Sequence, residues 1–279
     1  MLNLLLAVAS SALVSITMRL SETKIKNNTA MLAVNYIMCL LLSWAGTGFT
    51  DFFPAAPGLS LTAVLGGING FLYLAGFLLL QMNIRKNGVV LSSTFMKLGL
   101  LVSMLVSVIF FREMPGLLQW GGFILAVAAI ILINYQPGTQ KAESKLGLIL
   151  ALLAGGTADS MSKVFEELGN SFLSDHFLLY TFLAAFVLCV LLSIAGKKGR
   201  PGKWEWAFGL LIGIPNFYSA KFMLAALKTV PAVIVYPVCS VGTILVVTTA
   251  GVLLFKERLE KRQWTALAMI LVALVLLNI

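Results

Sequence analysis

FREMPGLLQWGGFILAVAAIILIN, residues 111–134, and FKERLEKRQWTALAMILVALVLLN, residues 255–278, align without a gap at an offset of 144 positions. Phe111, Glu113, Gln119, Trp120, Ala129, Leu132 and Asn134 match Phe255, Glu257, Gln263, Trp264, Ala273, Leu276 and Asn278. Coincident leucines are common in any apolar sequence. The paired Phe-x-Glu-x5-Gln-Trp is not, because it repeats polar and Trp positions at fixed spacing. The same offset sets Leu2, Leu4, Leu6 and Ala7 on Leu146, Leu148, Leu150 and Ala151, and Arg19 on Lys163. An offset of 146 sets Gly67, Ile68 and Phe71 on Gly213, Ile214 and Phe217. The chain therefore reads as a duplication, with a first repeat over 1–135, a connector over 136–145 and a second repeat over 146–279.

Composition gives the medium in which the repeats fold. Apolar residues make up 59% of the chain and charged residues 11%, against about 45–50% and 25% in soluble domains. A soluble fold of this length has no interior able to hide that much apolar surface, and a bilayer supplies the missing solvent. Ten apolar runs are long enough to span it: 2–20, 30–47, 59–83, 88–111, 116–135, 146–166, 176–196, 206–228, 231–255 and 262–279. Backbone in hydrocarbon must satisfy its own hydrogen bonds, so these runs are expected to be helices. The expected fold is an all-α integral membrane protein of ten transmembrane helices. Five per repeat is an odd number, so the second repeat enters the membrane upside down, giving two inverted five-helix repeats. Inverted repeats underlie alternating access in carriers.

Other readings of the same features are weaker. The segment Leu2–Ser15 has the look of a signal-peptide core, but it lacks preceding basic residues and has a counterpart at 146, so it reads as the first membrane helix. The net charge of +9 comes from basic residues in short loops, which is a topology signal and not a nucleic-acid footprint. Cys39, Cys189 and Cys239 lie in apolar runs without metal-ligand spacing and read as buried thiols. The sequence has no phosphate-binding Gly loop, no Ser-His-Asp set and no metal-spaced cluster. A non-enzyme without cofactor or metal is expected.

The closing segment carries a resemblance. Ala225-Ala226-Leu227, Val230-Pro231-Ala232-Val233 and Tyr236-Pro237-Val238 precede a long apolar helix ending in Leu254-Phe255-Lys256-Glu257-Arg258-Leu259, then Gln263-Trp264 and a last helix. This resembles the ten-helix EamA-like branch of the drug/metabolite transporter superfamily, of which Phe-x-Glu at the end of the fourth and ninth helices is typical. Thr265 departs from the Gly often found two positions after the Gln, while Gly121 keeps it in the first repeat. The resemblance implies secondary transport of small solutes without a nucleotide motor, and it does not choose a substrate.

Ionisable groups at membrane depth are costly and mark functional positions by default. Lys97, Asp159 and Lys221 lie well inside their helices, and Arg19 and Lys163 nearer the ends. Lys97 shares a helical face with Ser93 and Thr94, Lys221 with Tyr218, and Asn69 with Tyr73. With Asn216, Tyr236 and Tyr36, these groups form the expected solute-binding layer: Asn69, Tyr73, Lys97, Asn216, Tyr218, Lys221 and Tyr236. Asp159 and Lys163, spaced i, i+4, are expected to form either a structural ion pair or a proton-coupling site. Glu113 and Glu257 read as helix-start carboxylates, Pro215 and Pro237 as interruptions of the eighth and ninth helices, and the lone His176 as interfacial.

The expected function is secondary active transport of a small polar metabolite, anionic or zwitterionic, across the cytoplasmic membrane by alternating access. The alternatives are a proton-coupled exporter of cationic or lipophilic compounds and a lipid-head-group flippase. Expected partners are the small-molecule solute, the lipid bilayer and coupling protons, with no nucleic acid, in a monomer or homodimer. Orientation pits two arguments against each other. Loops after helices 1, 3, 5, 7 and 9 hold Lys24, Lys26, Arg85, Lys86, Lys141, Lys145, Lys197, Lys198, Arg200, Lys203, Lys256, Arg258, Lys261 and Arg262, whereas the other side holds only Arg112 and Lys228. The positive-inside rule then puts both termini outside the cytoplasm, while the resemblance implies both termini inside.

Overall fold

The computed structural model describes residues 1–21, 24–49, 52–87, 89–134, 144–196, 200–256 and 259–279. Glu257, Lys141, Lys197, Lys198, Arg258, the Ser93 side chain and most of the 136–145 connector lie outside the described residues. The described chain is all helical: α1 Leu2–Ser21, α2 Asn28–Gly46, α3 Leu59–Asn87, α4 Val89–Lys97, α5 Leu100–Phe111, α6 Leu117–Asn134, α7 Lys145–Leu168, α8 Ser174–Ala195, α9 Lys203–Leu227, α10 Ala232–Phe255 and α11 Lys261–Asn278. Among the described residues, nine apolar segments are long enough to cross a bilayer and a tenth, Leu117–Ile133 in α6, is slightly shorter. Exposed Leu5, Val64, Phe71, Ile124, Val187, Leu253 and Leu271 give the helices an apolar outer surface, which suits lipid and not water. The protein is a multi-pass membrane protein.

Two sequence readings need correction here. The fourth run is not one helix. It breaks at Leu98–Gly99, where Gly99 and Leu101 donate to carbonyls three residues back (3.1 and 3.0 Å), a local tightening of the α-helical turn. Pro215 and Pro237, by contrast, lie inside unbroken α9 and α10. Neighbouring helices in a membrane bundle make such prolines tolerable.

The helices gather into two compact units, each drawing on both repeats. One comprises Leu2–Leu74 and Val164–Ala226. In it, α3 crosses α8 through Gly66 and Gly70, where an added Cβ would meet Tyr180 Cβ at 2.7 Å and the carbonyl of Thr181. Similarly, α9 crosses α2 through Gly209 and Gly213, where it would meet Val34 Cβ at 2.6 Å and Met38 Cβ at 2.5 Å. Both are GxxxG crossings, in which small residues let helix backbones approach where no hydrophobic drive exists. They are the same contact with the repeats exchanged. Met31, Val34, Asn35 and Met38 of α2 stand where α8 has Phe177, Tyr180, Thr181 and Ala184, an offset of 146. The glycines of α3 and α9 are offset by 143. The match of Gly67 to Gly213 is thus out of register, since a Cβ on Gly67 would meet nothing within 4 Å.

The second unit comprises Ala75–Lys163 and Leu227–Ile279, with Met1. Its repeat symmetry is visible at the helix ends. Arg112 (φ 56°) and Lys256 (φ 55°) both close their helices in the left-handed conformation, with N–H groups donating to Ser107 O and Gly251 O, an αL helix stop. The repeated Gln has the same job in both copies. Gln119 Oε1 accepts from Gly116 N at 3.0 Å and Gln263 Oε1 from Glu260 N at 2.9 Å, each reaching back to start the last helix of its repeat. Trp120 and Trp264 follow at 38% and 59% exposure, as expected of residues facing the membrane interface. Near the chain middle, Asn83 and Asn87 donate to the carbonyls of Gly147 and Ser144 (2.8 and 3.3 Å) and fix the start of α7.

Candidate functional site

In the second unit, polar groups collect where α7 passes the break between α4 and α5. Gly99 and Gly156 make this crossing. A Cβ on Gly99 would lie 2.8 Å from Gly156 N, and one on Gly156 would strike the Gly99 carbonyl. Ser103 Oγ and Ser160 Oγ both donate to Gly156 O, at 3.0 and 2.7 Å. Lys97 is the last residue of α4, at the edge of the break. Asp159 lies one turn past the glycine on α7, and the two side chains are within electrostatic reach of each other. Among the described residues neither is in an ion pair.

Tyr236 of α10 closes the cluster from a third side. Its ring is buried, and its hydroxyl donates to the Asp159 carbonyl at 3.0 Å. Asp159 itself is exposed. Its exposure is not on the lipid-facing stripe of α7, which is Leu146, Ile149, Leu150 and Leu153. Six residues beyond Leu153, at about 100° each, Asp159 is turned about 120° away from that stripe.

The expected pair of Asp159 with Lys163 is not the one formed. Lys163 Nζ lies 2.9 Å from Glu113 Oε1, with side chains 5% and 16% exposed. Glu113 Oε2 also accepts from Val233 N at 3.2 Å. Helical i, i+4 spacing permits a pair but does not compel it, and Lys163 instead meets a carboxylate that the N-terminus of α10 also holds. Glu113 therefore caps α10, across the unit, and is not the start of its own following helix. This three-way contact of α7, the α5–α6 turn and α10 was invisible in the sequence, since nothing local links residues 113, 163 and 233.

The remaining expected layer lies in the first unit and is divided among three neighbours of α9. Asn216 Nδ2 donates to Asn35 Oδ1 of α2 at 3.2 Å. Tyr218, two residues on, turns outward into a groove between α1 and α9. Lys221 Nζ sits 2.9 Å from Asp175 Oδ1, at the first turn of α8. Asn216, Tyr218 and Lys221 thus do not share one space. Their 100° steps spread them around the helix. Asn69 is buried in the α3–α8 crossing, where its Nδ2 lies 3.4 Å from Thr181 Oγ1 and its Oδ1 is unsatisfied. Tyr73 meets Phe182 edge-on at 6.3 Å, and Phe182 lies 6.5 Å from Tyr36. His176, read as interfacial, is 5% exposed and lies 6.3 Å from the Tyr180 ring.

The charges balance. Lys163 is matched by Glu113 and Lys221 by Asp175, and the carboxylate facing Lys97 is Asp159. An excess of buried positive charge, expected from counting lysines, does not exist at these positions. The arrangement offers an ammonium and a carboxylate that attract without touching, a tyrosine fixing the backbone between them, and a helix break beside them.

An all-helical bundle with paired repeats and charged groups at membrane depth defines a polytopic membrane protein of the transporter type. The EamA-like transporter family matches residues 1–135 and again 145–279. The chain belongs to that family, a membrane transporter family of the drug/metabolite type. An uncharacterized protein of Haemophilus influenzae is 25% identical over 275 residues, covering 94% of this chain and 92% of its own. A crystal structure with 14% sequence identity shares the fold at a TM-score of 0.76, over 99% of this chain and 98% of the other.

Proposed function

We propose that the protein is a secondary active transporter for a small polar metabolite bearing both an anionic and a cationic group, moved across the cytoplasmic membrane by alternating access. The observation that carries this reading is Lys97 facing Asp159 without pairing to it. A charge at membrane depth without an ion-pair partner is costly. A zwitterion relieves both groups together, its carboxylate meeting Lys97 and its ammonium meeting Asp159. An anion alone leaves Asp159 unrelieved. The repeats support alternating access because equivalent contacts can be exchanged between them.

Counterflow in proteoliposomes tests the carrier. Unlabelled zwitterion is expected to accelerate entry of labelled zwitterion, and Lys97→Met and Asp159→Asn are each expected to weaken apparent affinity at least tenfold. Counterflow by a monoanion but not by any zwitterion would overturn the reading.

Asp159 also supports a second reading, a proton-coupled exporter, because it is exposed away from the lipid stripe. Asp159→Asn would then abolish pH-driven flux while sparing exchange, the opposite of a loss of affinity. For orientation we follow the charge bias, which favours both termini outside the cytoplasm. Single cysteines at Lys198 and Asp51, labelled by an impermeant reagent on intact cells, test it: labelling is expected at 51 and not at 198.

A further inference from the structure

We propose that the groove between α1 and α9 is a binding site for an anionic phospholipid, with one acyl chain along the groove and the phosphate at the basic rim where α1 ends and α9 begins. The groove has a volume of about 430 Å³ and is lined by Leu13 and Thr17 of α1 and by Leu211, Pro215, Tyr218 and Phe222 of α9. On α9 the lining continues a single stripe. Trp204, Phe208, Leu211, Pro215, Tyr218 and Phe222 follow one another at spacings of four and three, which keeps them on one helix face.

Length and charge identify the occupant. From Leu211 to Phe222 the stripe runs about 16 Å at 1.5 Å per residue, close to one leaflet of a hydrocarbon core of about 30 Å. The chains run antiparallel here. Glu205, in the first turn of α9, accepts from the backbone N–H groups of Lys26 and Asn27 just beyond the end of α1 (3.0 and 3.2 Å). Ser11 and Ser219 meet at 2.6 Å further along. The Leu211 end of the groove therefore leads to the rim, where Lys24 Nζ lies 4.4 Å over the Trp204 ring and 5.9 Å from that of Phe208.

A lysine at the mouth of an apolar groove puts a positive charge where an anionic head group would lie when the groove takes the acyl chain. The rim is strongly basic. Among the described residues, 24–27 and 200–205 hold Lys24, Lys26, Arg200 and Lys203 against Glu205, and the Glu205 carboxylate is already engaged by backbone. A second groove of about 340 Å³, between α2 and α8, has the same plan, with Arg200 and Trp206 at one end and Ala33, Ile37, Phe186 and Val190 along it.

The test is a lipid titration of the purified full-length protein in lipid-free detergent, followed by native mass spectrometry and thermal melting, with phosphatidylglycerol and phosphatidylcholine of identical chains. Phosphatidylglycerol is expected to bind at least tenfold tighter and to raise the melting temperature. Lys24→Gln is expected to weaken phosphatidylglycerol about fivefold, the ~1 kcal/mol one basic residue contributes near an anionic surface, and to leave phosphatidylcholine unchanged. Leu211→Trp, which fills the groove and spares the rim, is expected to weaken both. Equal binding of the two lipids would overturn the proposal, as would an equal melting shift from water-soluble glycerol phosphate. Disulfide-linked dimers of a Leu13→Cys variant would overturn it too, by assigning the groove to a second copy of the chain.

Discussion

Residues 89–111 and 232–255 are the fourth spans of the two repeats, and only the second is a single helix. At the offset of 144, Lys97, Leu98 and Gly99 correspond to Val241, Gly242 and Thr243. Gly242 has as little helix propensity as Gly99, yet α10 runs through it. Glycine alone therefore does not break the first copy. What differs is the neighbour: Gly99 is pressed against Gly156 of α7, and the residues equivalent to this pair, Thr243 and Ala12, both carry a Cβ. Two facing glycines permit an approach that redirects the helix, and the redirected turn is where the only charged residue of the two segments' interiors stands.

The largest effect is expected at the other end of α10. Glu113→Ala removes the carboxylate paired with Lys163 and the acceptor for Val233 together. Breaking a buried ion pair by removing one side costs up to ~3–5 kcal/mol, so the detergent-purified variant should melt well below wild type. Adding Lys163→Met should restore part of the loss. If the double variant melts no higher than Glu113→Ala, the pair is not what holds α10.

Next is the crossing itself. Gly156→Ala is expected to cost ~1–3 kcal/mol, the usual range for overpacking, read as a lower melting temperature, while Ala12→Gly at the equivalent position should cost ~1 kcal/mol or less. Equal losses would mean the two copies are packed alike. Smaller again, Lys97→Met is expected to reduce zwitterion exchange about tenfold, equivalent to ~1.4 kcal/mol, with little change in melting temperature. Least is Thr243→Gly, which gives α10 the glycine of the first copy without its neighbour. It is expected to leave α10 helical and to change stability by ~1 kcal/mol or less, checked by circular dichroism and melting.

This comparison also separates what is legible in sequence from what is not. Span number and the duplication are carried by apolar length and by a polar motif at fixed spacing, both local properties, and the helices begin and end within a few residues of where those signals put them. The repeated Gln explains itself for the same reason: it acts three residues from where it stands. The repeated Glu does not, because Glu113 serves a helix 120 residues away. Asp159 and Lys163 are neighbours on one helix face and were expected to pair, but tertiary packing offered Lys163 a better partner. Pro215 and Pro237 carry the strongest local breaking signal and break nothing, whereas Gly99, with a weak one, sits at the only interruption among the described spans.

The division of the chain into units that each take helices from both repeats has a consequence for biosynthesis. The first unit needs residues up to Ala226 and the second needs residues to Ile279. A ribosome that has released the whole first repeat has therefore released the complete set of helices of neither. The nascent helices must wait in the bilayer as separately inserted spans, with Gly66 and Gly70 lacking α8 and Glu113 lacking α10, until the second half arrives. Assembly is in this sense post-insertional and long-range, a regime in which folding is slow and partly folded chains are exposed to misassembly. Duplication here produced two lengths of chain that depend on each other to fold, not two independent bodies.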